Sequence, residues 1–228
     1  MRAVVMGGTS GIGLATAEHL ASAKFDVTVT GRDPVKLAAL EGRFAGAERL
    51  DGTDRDAMAA FFKRLGPFEH LVLAFSPGPV GLGPIREISL DDFETAFTGK
   101  LFGYVQAIRQ AQVTESITMN SAASARAALP GTVTLAAVNG AIDRMVSPLA
   151  AELAPVRVNA ISPGIIDTPW WSFLPEDQRQ AQFAAAAGSV PAGRIGTAAD
   201  VAGAVAYLVG AGLVTGTILP MDGGFTVA

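Results

Sequence analysis

The chain has 228 residues, of which 50% are apolar and 17% are charged, and its formal net charge is −4. This length allows one large α/β domain or two small ones, and the apolar content excludes a disordered protein. Mild acidity without basic clusters argues against a nucleic-acid partner. The chain has no cysteine, which excludes disulfides and thiol catalysis. The two histidines, His19 and His70, lack a zinc-binding neighbourhood, so we expect no metal site.

The amino-terminal sequence enters a strand-like run directly, without the apolar segment and cleavage site of a signal peptide. The longest apolar stretch, residues 204–214, is only about half of a membrane span. We therefore expect a cytoplasmic protein that does not associate with a membrane.

Strand-like runs and helical patterns alternate along the chain. In the first half, the pattern predicts strands over 3–6, 25–30 and 70–75 and a further strand that ends at 49–50. Helices are predicted between these strands, over 11–23, 33–40 and 53–65. Thr53 is the expected N-cap of the third helix. The second half predicts helices over 89–110, 133–153 and 197–209 and strands over 116–120, 156–161 and 217–220.

This alternation predicts a mostly parallel sheet with helices on both faces. Right-handed crossovers then give a Rossmann-like, doubly wound α/β fold in three layers, which we assign to a single domain over residues 1–228. Ligands of such folds bind beyond the carboxyl ends of the strands. The functional site is therefore expected at the residues that follow each strand.

A glycine-rich turn, residues 7–13 (GGTSGIG), joins the first strand to the first helix. Glycines allow a tight turn and close backbone approach, and the helix N-terminus presents free N–H groups to a pyrophosphate. An ordinary glycine-rich turn is the alternative. The position of the turn after the first strand favours dinucleotide binding.

Four segments resemble the classical short-chain dehydrogenase/reductase family, and the resemblance runs over essentially the whole chain. Residues 7–13 resemble the family's TGxxxGIG motif, 50–54 (LDGTD) its LDVTD segment and 159–168 (NAISPGIIDT) its NxxxPGxxxT motif. Residues 221–224 (MDGG) are also typical. The resemblance implies an oxidoreductase that transfers a hydride between a nicotinamide cofactor and a small carbonyl or alcohol.

The resemblance also implies the cofactor-binding residues. These are Gly7, Thr9, Ser10, Gly11, Ile12, Gly13, Arg32, Asp51, Gly52, Ala74, Phe75, Ser76, Pro163, Gly164, Ile166 and Thr168. Where the family binds the ribose of NAD through an acidic residue, this chain has Arg32, which can pair with a 2′-phosphate. We therefore expect NADP(H) in preference to NAD(H). A surface arginine at a helix start is the alternative, and Asp33 directly after it leaves NAD(H) open.

The family's proton chemistry depends on a tyrosine, a lysine four residues later, a serine and an asparagine. Ser121 matches the serine. Tyr104 and Tyr207 are the only tyrosines, and neither has a lysine four residues later. Counting back from residues 149–155 places Leu135 at the tyrosine position and Asn139 at the lysine position.

Counting forward from Ser121 instead places Thr134 and Val138 at these positions. Lys100, in the segment KLFG, stands where the family has its asparagine. In the first register, lysine and asparagine have exchanged positions relative to the family pattern. Random sequence drift at these two positions is the alternative. Ser121, Lys100 and Asn139 are the candidate catalytic residues, because a buried lysine with a lowered pKa can act as an acid or base.

Two functions remain open. The first is an NADP(H)-dependent oxidoreductase with an atypical site. The second is a catalytically impaired NADP(H)-binding protein that serves as a sensor or partner subunit. The aromatic run that includes Trp170, Trp171 and Phe173 suggests a small apolar or aromatic substrate, or a subunit contact. The resemblance implies a homodimer or homotetramer that pairs through the helices over 89–110 and 133–153.

Overall fold

The computed structural model describes residues 1–227. Its strands, in chain order, are β1 (Arg2–Met6), β2 (Asp26–Gly31), β3 (Gly46–Arg49), β4 (Phe68–Leu73), β5 (Val113–Asn120), β6 (Arg157–Pro163), β7 (Ile166–Asp167), β8 (Gly196–Thr197) and β9 (Ile218–Met221). Seven of them form one sheet in the order β3-β2-β1-β4-β5-β6-β9, and all neighbours in it are parallel. The short strands β7 and β8 pair separately.

The helices cover both faces of this sheet. They are α1 (Gly11–Ser22), α2 (Pro34–Ala38), α3 (Arg55–Leu65), α4 (Leu90–Ala96), α5 (Gly103–Gln110), α6 (Val133–Glu152), α7 (Glu176–Ser189) and α8 (Ala198–Gly210). A π-helical segment, Phe97–Phe102, joins α4 to α5. No helix within residues 1–227 is long and apolar enough to cross a membrane.

Strand β1 shows why two helical layers form. Successive side chains of a strand point to opposite faces, and β1 is apolar on both. Val4 and Met6 join one buried cluster with residues of α3, α5 and α6. Ala3 and Val5 join a second cluster with residues of α1 and α8. The predicted Rossmann-like, doubly wound α/β fold is confirmed.

Strand β1 also marks the point where the strand order reverses. It pairs with β2 on one side and with β4 on the other. The loops after β1 and β4 therefore diverge and leave a crevice beyond the carboxyl ends of the strands, which is where such folds bind ligands.

Two predictions about the helices were wrong in detail. The single helix predicted over 89–110 is interrupted by the π-helical segment, and short π insertions are frequent at functional sites. Within this segment Gly99 packs so closely on the loop after β4 that a β-carbon there would lie 2.8 Å from Pro77. Asp54, not Thr53, caps α3, because the Asp54 side chain accepts a bond from the Ala57 amide at 2.9 Å.

Helix α7 and the small strands β7 and β8 were not predicted. Phe183 is the only buried residue of α7, so the helix lacks the apolar stripe by which amphipathic helices are identified. The remaining elements lie where the sequence predicts them, with their ends displaced by a few residues.

A buried histidine lies near the amino-terminal edge of the sheet, away from the crevice. His70 is 2% exposed, and its Nδ1 lies 2.8 Å from the Ser116 hydroxyl. Burial lowers the pKa of His70 below its ordinary value of 6.5, and the Glu115 carboxylate only partly opposes this. The folded protein therefore favours the neutral imidazole.

We predict that His70 makes the protein less stable in mild acid. The unfolded chain binds the proton more readily than the folded chain, so stability is retained above pH 6.5 and is lost as the pH falls below it. Urea unfolding at pH 7.5 and 5.5 measures the loss, and H70N should reduce it. H19N, at an exposed position on α1, is the matched control. Equal losses in H70N and the unsubstituted protein would contradict the prediction.

Candidate active site

A cavity of about 710 Å³ opens beyond the carboxyl ends of the central strands. Every residue that the sequence proposed for the site lines it. The predicted cofactor residues in the lining are Gly7, Thr9, Ser10, Gly11, Ile12, Gly13, Arg32, Asp51, Gly52, Ala74, Phe75, Ser76, Pro163, Gly164, Ile166 and Thr168. The candidate catalytic residues Lys100, Ser121 and Asn139 lie in the same cavity. The structure thus brings the predicted set together, while the role of each residue stays a prediction.

The glycine-rich turn is packed too closely at Gly7 and Gly13 to carry side chains at these two positions. Gly7 has a φ of 82°, and a β-carbon there would lie 2.7 Å from the backbone of Ala74. A β-carbon at Gly13 would lie 2.1 Å from the Gly7 carbonyl oxygen. Ser10 stands at the N-cap of α1, but its side chain makes no capping hydrogen bond. The first amides of α1 are therefore left to other acceptors, which fits a pyrophosphate cradle.

Two cationic side chains line the cavity beyond β2. Arg32 donates to the Ser76 carbonyl oxygen at 3.4 Å, and Lys36 lines the same region. The Asp33 carboxylate accepts bonds from the amides of Val35 and Lys36 at 2.9 and 3.3 Å, and so caps α2. Asp33 is thus engaged in capping, and Lys36 is a cation that the sequence analysis did not single out.

Asp51 follows β3 and is fixed by its own turn. Its Oδ1 accepts bonds from the Thr53 amide and hydroxyl, both at 2.9 Å. Burial raises the pKa of this carboxyl, but the bonds from Thr53 and the charges of Arg32 and Arg49 outweigh burial and lower it overall. Asp51 therefore faces the cavity as a carboxylate.

Lys100 and Asn139 meet inside the cavity. Lys100 lies in the π-helical segment and is 9% exposed, and its Nζ donates to Asn139 Oδ1 at 2.6 Å. The Asn139 amide nitrogen donates to the Leu135 carbonyl oxygen at 2.9 Å and to the Ser124 hydroxyl at 3.2 Å. The Ser121 hydroxyl donates to the Asn139 carbonyl oxygen at 3.2 Å. The three candidate catalytic residues therefore form one hydrogen-bonded group.

The environment of Lys100 makes it a group that can exchange a proton near neutral pH. Burial lowers the pKa of Lys100 from 10.5 to about 7, while the nearby Asp143 carboxylate opposes the shift. Desolvation disfavours the charged ammonium, which is the physical cause. General acids and bases work best when the pKa lies near the operating pH.

The positions on α6 bear on the two registers left open by the sequence. Leu135, Val138 and Asn139 line the cavity, and Val138 also belongs to the buried core. Thr134 is fully buried and faces Gly81, where a β-carbon would lie 2.7 Å from the Thr134 hydroxyl. Asn139 is the residue that meets Lys100, as the first register expects.

Neither tyrosine is placed to act as an acid in the cavity. Tyr104 is completely buried, and its hydroxyl donates to the Asn120 carbonyl oxygen at 3.3 Å. Burial raises the pKa of the Tyr104 phenol. Its ring packs edge-on to Phe75 with centroids 4.9 Å apart. Tyr207 is 58% exposed on α8 and is outside the cavity lining.

Three aromatic side chains form a wall of the cavity. Trp170 packs edge-on to Trp171 and Phe173, with ring centroids 4.8 and 5.4 Å apart. The Trp171 indole donates to the Ile166 carbonyl oxygen at 3.0 Å, which connects the wall to β7. Gln182 of α7 also lines the cavity. Sequence reasoning missed Gln182 because the pattern gave no signal for α7.

Comparisons with known proteins agree with this geometry. The family model described as enoyl-(acyl carrier protein) reductase matches residues 7–226. The chain is 31% identical to the 3-oxoacyl-[acyl-carrier-protein] reductase MabA of Mycobacterium tuberculosis (strain ATCC 25618 / H37Rv), over 97% of this chain and 91% of that protein. It is 32% identical to cis-4-hydroxycyclohexanecarboxylate dehydrogenase of Sinomonas cyclohexanicum, over 98% and 96% of the two chains.

Solved structures give the same result. A small-chain dehydrogenase in complex with NADPH is 30% identical and superposes with a TM-score of 0.86, over 100% of this chain and 99% of that chain. These matches span the chain from the glycine-rich turn to the carboxyl-terminal segment. The resemblance expected from the sequence motifs is confirmed, and the chain belongs to the short-chain dehydrogenase/reductase family of oxidoreductases.

Proposed function

We propose that the protein is an NADP(H)-dependent oxidoreductase that interconverts a small carbonyl compound and its alcohol through a lysine–asparagine site. The observation that carries the proposal is the 2.6 Å bond between Lys100 Nζ and Asn139 Oδ1 in the cavity. This bond joins the two positions at which the sequence departs from the family pattern. It supports an exchange of the two residues rather than drift.

The residues present fit a nicotinamide dinucleotide. The close packing at Gly7 and Gly13 leaves the uncapped N-terminus of α1 open to a pyrophosphate. Arg32 and Lys36 suit a 2′-phosphate, since guanidinium and ammonium groups bind phosphate strongly. The small-chain dehydrogenase in complex with NADPH supports the same cofactor.

The remaining cofactor contacts follow the family assignment. Asp51 would lie beside the adenine amino group, and the Ile166 backbone and the Thr168 hydroxyl would hold the nicotinamide. When bound, the dinucleotide supplies or accepts the hydride.

The chain's own residues supply the proton and the orientation. In reduction the Lys100 ammonium gives up a proton from Nζ, directly or through a water molecule, to the substrate oxygen. Asn139 Oδ1 fixes the direction of Nζ. The Ser121 hydroxyl, which donates to the Asn139 carbonyl oxygen in this structure, turns its proton to the substrate oxygen and polarises it. Leu135 has no proton to give, so the acid of this site comes from the helix opposite α6. In oxidation the neutral amine accepts the proton.

The walls of the cavity favour a compact apolar or aromatic substrate. Trp170, Trp171 and Phe173 present ring faces and edges to the cavity, and such surfaces bind apolar ligands by excluding water.

We also propose a homodimer or homotetramer in a cytoplasmic location. Leu90 on α4 and Phe102 on the π-helical segment have outward apolar side chains, 80% and 52% exposed, which support a subunit contact on this part of the surface.

A second candidate function is an NADP(H)-binding protein without turnover, acting as a sensor or partner subunit. Leu135 favours it, because it lines the cavity at the position assigned to the family's tyrosine. The burial of the Tyr104 hydroxyl also favours it, since no phenol replaces the missing acid. The two candidates share the cofactor site and differ only in chemistry.

We predict that R32A and K36A each weaken NADPH binding by about 10- to 100-fold, because each removes a charge-assisted phosphate contact. NADH lacks the 2′-phosphate, so its affinity should change little. Fluorescence titration of the bound reduced nicotinamide measures both. K63A, at an exposed position on α3, is the control. Equal weakening of NADPH and NADH would contradict the assignment of these two residues to the 2′-phosphate.

We predict that the rate of carbonyl reduction falls as the pH rises through about 7, because Lys100 loses its proton there. K100M should lower turnover by about 10²- to 10⁴-fold, the usual contribution of a general acid. NADPH oxidation in the presence of a panel of small aromatic and aliphatic ketones and aldehydes, from pH 5.5 to 9, measures both effects.

Three outcomes of this experiment are informative. Unchanged turnover in K100M would overturn the role of Lys100, with K63M as the matched control. Tight NADPH binding without turnover on any substrate would favour the second candidate function. A rate independent of pH between 6 and 8 would contradict the proposed acid.

A further inference from the structure

A buried carboxylate lies next to the proposed catalytic group. Asp143 is 9% exposed and stands four residues after Asn139 on α6, so the two side chains share one face of the helix. Among residues 1–227, no hydrogen-bond donor reaches its Oδ1. A buried carboxylate is costly unless positive charge compensates it, so the groups that face Asp143 decide its role.

The charged and titratable groups around Asp143 come from three elements. Arg126, in the turn after β5, places its Nη1 3.6 Å from Asp143 Oδ2. Lys100, on the π-helical segment, reaches α6 through its 2.6 Å bond to Asn139 Oδ1, one helical turn before Asp143. The charge of Asp143 raises the pKa of Lys100. The uncharged Ser121 hydroxyl is also near. The third element, α5, contributes Tyr104, which lies beside Lys100, with its ring centroid 6.0 Å from Lys100 Nζ.

We propose that Asp143 is a positioning residue, whose carboxylate serves as the counter-ion that keeps the proton on Lys100 Nζ. Asn139 gives the ammonium its direction, whereas Asp143 supplies the negative charge that a buried ammonium needs. The use of that proton in turnover rests on the proposed function. The electrostatic pairing itself does not.

The pairing depends on Asp143 being ionised. Burial is the largest cause and raises the pKa of Asp143 overall, while the Ser121 hydroxyl, Arg126 and Lys100 limit the rise and favour the carboxylate. Arg126 is therefore the cation that shares the carboxylate with Lys100. It also donates to the Ser162 hydroxyl at 3.1 Å, at the end of β6. The cluster thus connects the proton-holding lysine to the strand that leads into the predicted nicotinamide loop.

The titration of Lys100 can be measured directly, because the chain has only four lysines: Lys24, Lys36, Lys63 and Lys100. Protein labelled with ¹³C at the lysine ε-carbon gives one resonance for each, and K100R identifies the resonance of Lys100. Its chemical shift between pH 5 and 11 reports the protonation of Nζ. The measurement uses the full-length protein without added cofactor or substrate.

We predict that D143N moves the Lys100 midpoint to lower pH by about one unit, the lower end of the effect of a nearby opposite charge. D143E keeps the negative charge, so its Lys100 midpoint should lie close to that of the unsubstituted protein. D143S removes the carboxylate without adding an amide, and it replaces D143N if that variant does not fold. The matched control is D26N, at an exposed position at the amino-terminal end of β2, on the far edge of the sheet from the cavity.

An unchanged Lys100 midpoint in folded D143N or D143S would overturn the proposal. A shift of the same size in D26N would overturn it too, since the effect would then not be local. This readout does not need turnover, so an inactive protein would refute the proposed function and leave the pairing to be decided by the titration.

Turnover provides a second readout. In D143N the pH at which reduction declines should move down by the same amount as the Lys100 midpoint. A merely structural role would lower the rate at every pH and leave that midpoint in place, which would contradict the proposal.

Discussion

The burial of one ammonium group sets the conditions for the rest of the site. Lys100 is removed from water in the middle of a helix-to-helix contact, and its Nζ is held by Asn139 Oδ1. Desolvation alone would drive the lysine to its neutral form. The charge of Asp143, a buried carboxylate one helical turn after Asn139, opposes that loss of charge, and the bond to Asn139 Oδ1 stabilises the ammonium form. The balance leaves a lysine that holds or releases a proton near neutral pH.

The fold makes this contact possible. The parallel sheet brings the ends of β4 and β5 to one edge. The π-helical segment before β5 contacts α6 after it, and residues of both line the cavity. The π-helical segment lies at the point where the Lys100 side chain leaves its helix toward α6. The glycine-rich turn packs on the end of β4, and a side chain at Gly7 would break that packing. The residues proposed to bind the cofactor and those proposed to hold the proton therefore line one crevice, although they come from distant parts of the chain.

Much of this arrangement could be predicted from the sequence, and the failures have physical causes. The strands and most helices follow apolar periodicity, and the residues after each strand end do line the cavity. The interruption at Phe97–Phe102 could not be predicted from apolar periodicity, and the close packing of its Gly99 on Pro77 is a tertiary contact that the sequence does not show. Helix α7 has almost no buried face, so neither it nor Gln182 gave a signal. Asp143 was not singled out, since its burial next to Lys100 depends on tertiary packing.

The central claim is that an amine from Lys100 replaces the phenol on which the family relies for proton transfer. Chemical rescue tests this claim most directly: K100A, loaded with NADPH and a reducible carbonyl substrate, is assayed with added primary alkylamines of graded size and basicity. The account predicts that turnover, lost in K100A, returns in proportion to the added alkylammonium, and that small amines act better than bulky ones. If no amine restores turnover in a K100A protein that still binds NADPH, the proton does not come from this position.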